Sequence, residues 1–331
     1  MVAIVSCNDD DDSGTVAVPD RDRTEVYLED IAEIEEFLQT HFYNYEEFDF
    51  SNPYSLANDT FEIEFDTIDG VNSDKIPLID QVDFKMVEDL EGIEYKLYFL
   101  KVREGEGDEI HASDTAFLSY VGSIDDGSVF DSAVNPVSLS LITVGSVFGT
   151  VQGFTEGVIE FKTSDDFTEN GDGTLTYHNH GIGAFFIPSG LGYFSLPIPG
   201  VESYTPIFFR ISAVDRILSD FDFDNISSYL EDLDGDGDVY NDDTDEDLIA
   251  NFIDIDDDGD GVLTINEDLE PDTDLEVDRD GDGISTNDIG DGNPLNDDTD
   301  GDEIPNYLDT DDDGSRLDDE DNDGIPDYLD N

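Results

Sequence analysis

Apolar residues recur at three- and four-residue steps between Thr24 and Tyr43, at Val26, Ile31, Ile34, Phe37, Leu38 and Phe42. That spacing gathers them on one face and predicts a single amphipathic helix over 24–43, capped by Thr24. From 44 to 94 the pattern is mixed, with alternation in Phe61-Glu-Ile-Glu-Phe65 and turn residues at Asp69-Gly70, and the segment reads as an accessory extension. From Tyr95 to Val214 period-two stretches dominate, such as Thr115-Ala-Phe-Leu-Ser-Tyr120 and Ile207-Phe-Phe-Arg-Ile211, predicting a folded, strand-rich core. Beyond Ser219 the apolar residues thin out and Asp takes over in a repeat about a dozen residues long.

Composition sharpens this division. The 331 residues carry 88 Asp and Glu against 12 Lys and Arg, a formal net charge of −76. A chain so acidic repels phosphate, so nucleic-acid binding is excluded as its function. A length of this order suggests two or three units, and a 37% hydrophobic content supplies at least one real core. The single cysteine, Cys7, rules out internal disulfides, and no window approaches the roughly 18 apolar residues of a spanning helix.

Ile4-Val5-Ser6-Cys7 resembles the lipobox of bacterial lipoproteins, which implies that Cys7 is acylated and anchors the chain to a membrane. The apolar stretch before it is shorter than the about 7 to 15 residues of a signal peptide, so the true start is expected upstream of Met1. The acidic run Asp9 to Asp12 opens a tether over 8–23 and resembles the surface-export signal of Bacteroidetes lipoproteins. The implied location is the outer membrane, facing the periplasm or the outside.

Three separated blocks in the core resemble the FKBP-type peptidyl-prolyl isomerases: Tyr120-Val-Gly-Ser-Ile-Asp-Asp-Gly-Ser-Val-Phe130-Asp131-Ser132, Thr150-Val151-Gln-Gly153-Phe154-Thr-Glu156-Gly157, and Phe186-Ile-Pro188-Ser-Gly-Leu-Gly-Tyr193 with the closing strand to Ile211. The resemblance implies a cleft walled by Tyr120, Phe130, Val151, Phe154 and Phe209, with Phe154 as the floor. It implies that the Tyr193 hydroxyl donates to a substrate carbonyl and that Asp131 orients the peptide at the rim. Val201 matches the family's aliphatic flap residue, and Ile198 competes for that role. Leu139 and Leu141 fall roughly where the family has further aromatics.

Such a cleft suits the chemistry. Rotation about an Xaa-Pro amide faces a barrier of about 18 to 20 kcal/mol, and a pocket that binds the twisted amide more tightly than either planar form lowers it without any cofactor. The chain departs from the family in having Phe154 where Trp is usual, Phe194 for a glycine after the pocket tyrosine, and Glu202 for a flap proline. An insert between Phe161 and Phe186 carries the hairpin signal Asn170-Gly-Asp-Gly173 and is expected beside the cleft, extending it. His178 and His180 within it read as solvated loop histidines rather than a metal pair, since no third ligand has suitable spacing.

The tail offers a different chemistry. Calcium takes six to eight oxygens, and a loop with acids at positions 1, 3 and 5, glycine at 6 and a carboxylate at 12 supplies them around one turn. Asp256, Asp258, Asp260, Gly261 and Glu267 fit that pattern, as do Asp232, Asp234, Asp236, Gly237, Asp238 and Asp243. Asp309, Asp311, Asp313, Gly314 and Glu320 form a third copy, overlapped by Asp319, Asp321, Asp323, Gly324 and Asp330. Two copies are weaker: Asp278, Asp280 and Asp282 lack the acid at position 12, while Asp298, Asp300 and Asp302 have Glu303 in place of glycine. The repeats also resemble thrombospondin type-3 repeats, which implies a calcium-ordered array with little hydrophobic core.

The expected fold is α+β: an FKBP-like antiparallel sheet wrapped on a short helix, with a helical N-terminal extension and a C-terminal calcium-loop array. The expected units are a lipoprotein signal remnant and tether (1–23), the extension (24–94), the isomerase domain (95–216) and the calcium repeats (217–331). The expected activity is prolyl isomerisation of secreted or outer-membrane clients, as in the lipoprotein isomerases associated with gliding motility. Catalysis needs no cofactor, calcium is structural, and the first helix offers a dimerisation surface. The competing reading is a non-catalytic, calcium-stabilised peptide-binding or adhesion lipoprotein.

Overall fold

The computed structural model describes residues 19–261, 263–267 and 304–309. Its first helix, α1 (Arg23–Thr40), starts where the Asp22 carboxylate accepts the Glu25 backbone N–H at 3.0 Å. Asp22 rather than Thr24 is therefore the cap, because its side chain reaches an amide left free in the first turn. The helix also stops short of Tyr43. Its closing residues carry aromatic rings that fit a pleated surface, and β1 (His41–Tyr43) pairs antiparallel with β2 (Phe65–Thr67).

Six strands build the main sheet: β3 (Asp83–Glu88), β4 (Glu94–Arg103), β5 (Thr115–Ser123), β6 (Val129–Ser140), β9 (Gly181–Ile187) and β10 (Ile207–Ile217). They lie in the order β3-β4-β9-β10-β5-β6, every neighbouring pair antiparallel. Strand β9 is buried at all seven positions, because the sheet is covered on both faces. On the inner face Leu97, Leu118, Phe185, Ile187 and Phe209 pack with the short helix α2 (Gln152–Val158). Gly157 permits that contact, since a Cβ there would stand 2.4 Å from the Phe185 ring. On the outer face Tyr98, Leu100, Phe186 and Phe208 pack with Ile34, Phe37 and Leu38 of α1 and with Phe61, Ile63 and Leu78. The molecule is thus α+β, mostly sheet. Residues 24–94 contribute both the outer layer and β3, an edge strand of the same sheet.

The insert folds into the hairpin β7 (Asp166–Glu169) and β8 (Leu175–His178), with Gly173 turning at φ +87°. Tyr177 meets Phe117 on the outer face, with ring centroids 6.2 Å apart, so the hairpin stands away from the predicted cleft. Its histidines are not solvated. His180 is 4% exposed, and burial pushes its imidazole down to about 4, so it is neutral in neutral solution. The His178 Nδ1 lies 2.8 Å from Asp59, which also receives the Arg103 guanidinium at 3.0 Å. A buried ion pair draws the ring inward where loop composition had suggested exposure.

The described tail consists of turns and short 3₁₀ segments, including Asn251–Ile253, Thr264–Asn266 and Asn306–Leu308. Val239, Ala250 and Phe252 form a small core against Ile142 and Val144 of the main body. Tyr229 stacks on His111 with centroids 3.9 Å apart. No described helix is long and apolar enough to cross a membrane. Cys7 lies outside the described residues.

Candidate functional site

Adjacent strands and α2 bring the expected cleft residues together. Tyr120 lies on β5 facing Ile211 of β10, while Phe130 and Asp131 lie on β6 with Asp131 opposite Gly122. Gly122 leaves room for two rings: a Cβ there would stand 2.8 Å from both Phe130 and Phe209. Val151 precedes α2 and Phe154 sits within it. Tyr120, Phe130, Val151, Phe154, Tyr193, Val201 and Phe209 all join one apolar cluster, and Ile198 and Leu139 touch it as well. Leu141 is fully inside.

The rings meet edge to face. Phe154 lies 4.8 Å from Phe209 at 87° and 6.1 Å from Tyr120 at 81°, while Phe130 meets Phe209 at 5.6 Å. Phe154, Val201 and Phe209 are buried, whereas Tyr120, Phe130 and Tyr193 are half-buried and Asp131 is exposed. Buried apolar side chains therefore adjoin half-buried phenols and an exposed carboxylate. Ile198 and Val201 bond each other's backbones at 3.0 and 3.1 Å across a tight turn, and both pack on the cluster.

The rim carries two phenols and one carboxylate. The Tyr120 hydroxyl donates to Asp131 at 2.7 Å, and burial, with this bond second, pushes Tyr120 up to about 12. Burial and the Asp131 charge also raise Tyr193. Both phenols keep their protons in neutral solution. Among the described residues the Tyr193 hydroxyl has no hydrogen-bond partner, which leaves it as a donor for a ligand.

Phe194, which stands where the family has glycine, adopts φ +48°, the left-handed region that glycine favours. It holds that conformation under a packed lid, with the Arg23 guanidinium 4.2 Å from its ring and Tyr204 edge-on at 5.1 Å. Glu202 is exposed.

In the tail, Asp232, Asp234 and Asp236 hold carboxylate oxygens within 4.8 Å of one another, as do Asp256, Asp258 and Asp260. Each loop closes through the amide at position 6, with Gly237 N donating to Asp232 at 2.9 Å and Gly261 N to Asp256 at 3.4 Å. Both glycines are left-handed. Asp243, expected as the last ligand of the first loop, is gathered instead with Asp245 and Asp247. There Leu248 N donates to Asp243 at 3.0 Å and Leu248 takes the glycine's place at φ +81°. The acid spacing of this third loop was visible, but leucine at position 6 hid it. Asp238 is exposed, and Glu267 and Asp309 are buried. Asp278, Asp280, Asp282, Asp311, Asp313, Asp319, Glu320, Asp321, Asp323 and Asp330 lie outside the described residues, as do the weaker-copy Asp298, Asp300, Asp302 and Glu303.

A family described as BamM C-terminal matches residues 221–275. No curated protein matches the chain. Among solved structures, the chain is similar to a peptidyl-prolyl cis-trans isomerase from Pseudomonas syringae, at 19% identity and a TM-score of 0.29 over 40% of this chain and 80% of that one. It is similar to FkpA from Escherichia coli at 24% identity and a TM-score of 0.29, over 40% of this chain and 51% of that one. It is also similar to a wheat protein of three FKBP domains at 14% identity and a TM-score of 0.30, over 41% of this chain and 50% of that one. The chain thus spans about half the length of the last two.

Proposed function

We propose that the cleft binds extended Xaa-Pro segments and catalyses their cis/trans isomerisation. The observation that carries this reading is the buried group of Phe154, Phe209 and Val201 packed with half-buried Tyr193, whose hydroxyl has no hydrogen-bond partner among the described residues. A proline ring set on that floor leaves its preceding carbonyl at the rim. Rings on the walls exclude water from the amide, and the Tyr193 donor holds the carbonyl as the amide twists, favouring the twisted form over both planar ones. Asp131 positions Tyr120 and does not transfer protons.

We further propose that the three described acidic loops hold calcium. The fit rests on their gathered oxygens and on the left-handed residue at position 6, and the metal would supply counter-charge and order to the tail. The clients would be proline-containing envelope or secreted proteins met by a chain anchored through Cys7 in the outer membrane.

The test is exchange spectroscopy on a short Xaa-Pro peptide with the full chain, beside Tyr193→Phe and Asp131→Ala. The expected result is acceleration that falls on the order of tenfold or more in Tyr193→Phe, the loss of about one hydrogen bond to the transition state. Peptide binding without acceleration would replace catalysis by a binding role for the same cleft.

A further inference from the structure

Asp222, Asp224, Glu231 and Asp257 form a cluster apart from the repeat loops. Each brings a carboxylate oxygen to within 4.8 Å of the others. Asp222 and Asp224 follow the end of β10, Glu231 precedes the first loop, and Asp257 lies between two ligand positions of another loop without being one. The segments are distant in the chain, so no repeat spacing reveals them.

Burial of several members sets this group apart from most of the acids around it. Glu231 is 0% exposed, Asp257 1% and Asp224 3%. Neither carboxylate oxygen of Glu231 or of Asp257 has a hydrogen-bond partner, and one oxygen of Asp224 is likewise unpaired. Among the described residues, no Lys, Arg or His pairs with any of the four. Buried carboxylates without donors are strongly unfavourable, and four together add mutual repulsion. A cation in their midst reverses both terms.

The donor set selects the cation. It is all oxygen, without imidazole or thiolate, which favours a hard ion. Four carboxylates offer up to eight oxygens, the number calcium accepts, whereas magnesium keeps several waters that a dry pocket denies it.

We propose that Asp222, Asp224, Glu231 and Asp257 bind one calcium ion and thereby clamp the base of the tail. The site ties residues 222–231, at the exit from the sheet, to the turn at 257. Its ligands are gathered and Glu231, Asp257 and Asp224 are dry, so it fills at lower calcium concentration than the repeat loops.

The full chain, stripped by a chelator, is titrated with calcium by calorimetry and with terbium by tyrosine-sensitised emission. The expected result is one tight step that weakens at least about tenfold in Glu231→Gln and persists in the loop variant Asp234→Asn. Glu231→Gln removes one buried charge, so the metal-free protein should melt no lower than the parent while losing most of its calcium-dependent rise. A tight step unchanged in Glu231→Gln overturns the proposal. Loss of that step in Asp234→Asn alone overturns it too and assigns the tight site to the loops. A parent that binds no calcium overturns this site and the loop reading together.

Discussion

Asp30 of α1 accepts two hydrogen bonds from Ser189, one from its backbone N–H and one from its hydroxyl, each at 2.7 Å. Ser189 opens the turn that leads to Tyr193, so the first helix is bonded directly to the segment that carries the rim donor. The N-terminal layer thus bears on the segment that carries Tyr193.

Burial raises the Asp30 carboxyl to about 6 against the opposing effect of the Ser189 bonds. An unfolded Asp releases its proton near about pH 4. Between those values the folded chain binds more protons, so the contribution of Asp30 to stability is present below about pH 4 and lost as the pH rises through 6. Asp30→Asn removes this dependence. Urea unfolding of parent and variant at both ends of the window should show the variant gaining on the order of 2 kcal/mol relative to the parent as the pH rises. A difference that stays constant with pH would rule this out.

Phe194 combines a left-handed backbone with a buried ring. Phe194→Ala keeps the backbone penalty and discards the packing, while Phe194→Gly discards both. Both variants should be destabilised, Phe194→Ala by about 1 kcal/mol more than Phe194→Gly. Chemical denaturation orders the pair, and an Ala variant as stable as the Gly variant would contradict the account.

Leu248 occupies the glycine position of the third acidic loop at φ +81° and is 92% exposed. Leu248→Gly therefore relieves strain without removing packing. It should strengthen calcium binding at this loop about fivefold, the equivalent of about 1 kcal/mol. Calcium titration of the full chain reads the change, and a weakened loop would refute it.

The sequence announced features that depend on local chemistry. The hairpin at Asn170 to Gly173 formed where its turn residues stand, and the separated blocks carrying Tyr120, Phe154 and Tyr193 met in one cluster. Features that depend on tertiary contact were hidden. The mixed segment before Tyr95 conceals β3 because an edge strand has only one neighbour to impose alternation. The helix overran its true end because Phe42 keeps helical spacing while its ring is buried from a strand. His178 looked solvated beside polar neighbours, yet Asp59, which holds its ring and pairs with Arg103, comes from far along the chain.

Just before and at the start of α1 the chain is tied to the segment after Tyr193: the Arg21 backbone donates to the Tyr204 hydroxyl at 3.2 Å, and Arg23 covers Phe194. Residues 21 to 23 are therefore held against the segment that follows Tyr193. Loosening either arginine would therefore reach the backbone beside Tyr193 before it reached the sheet.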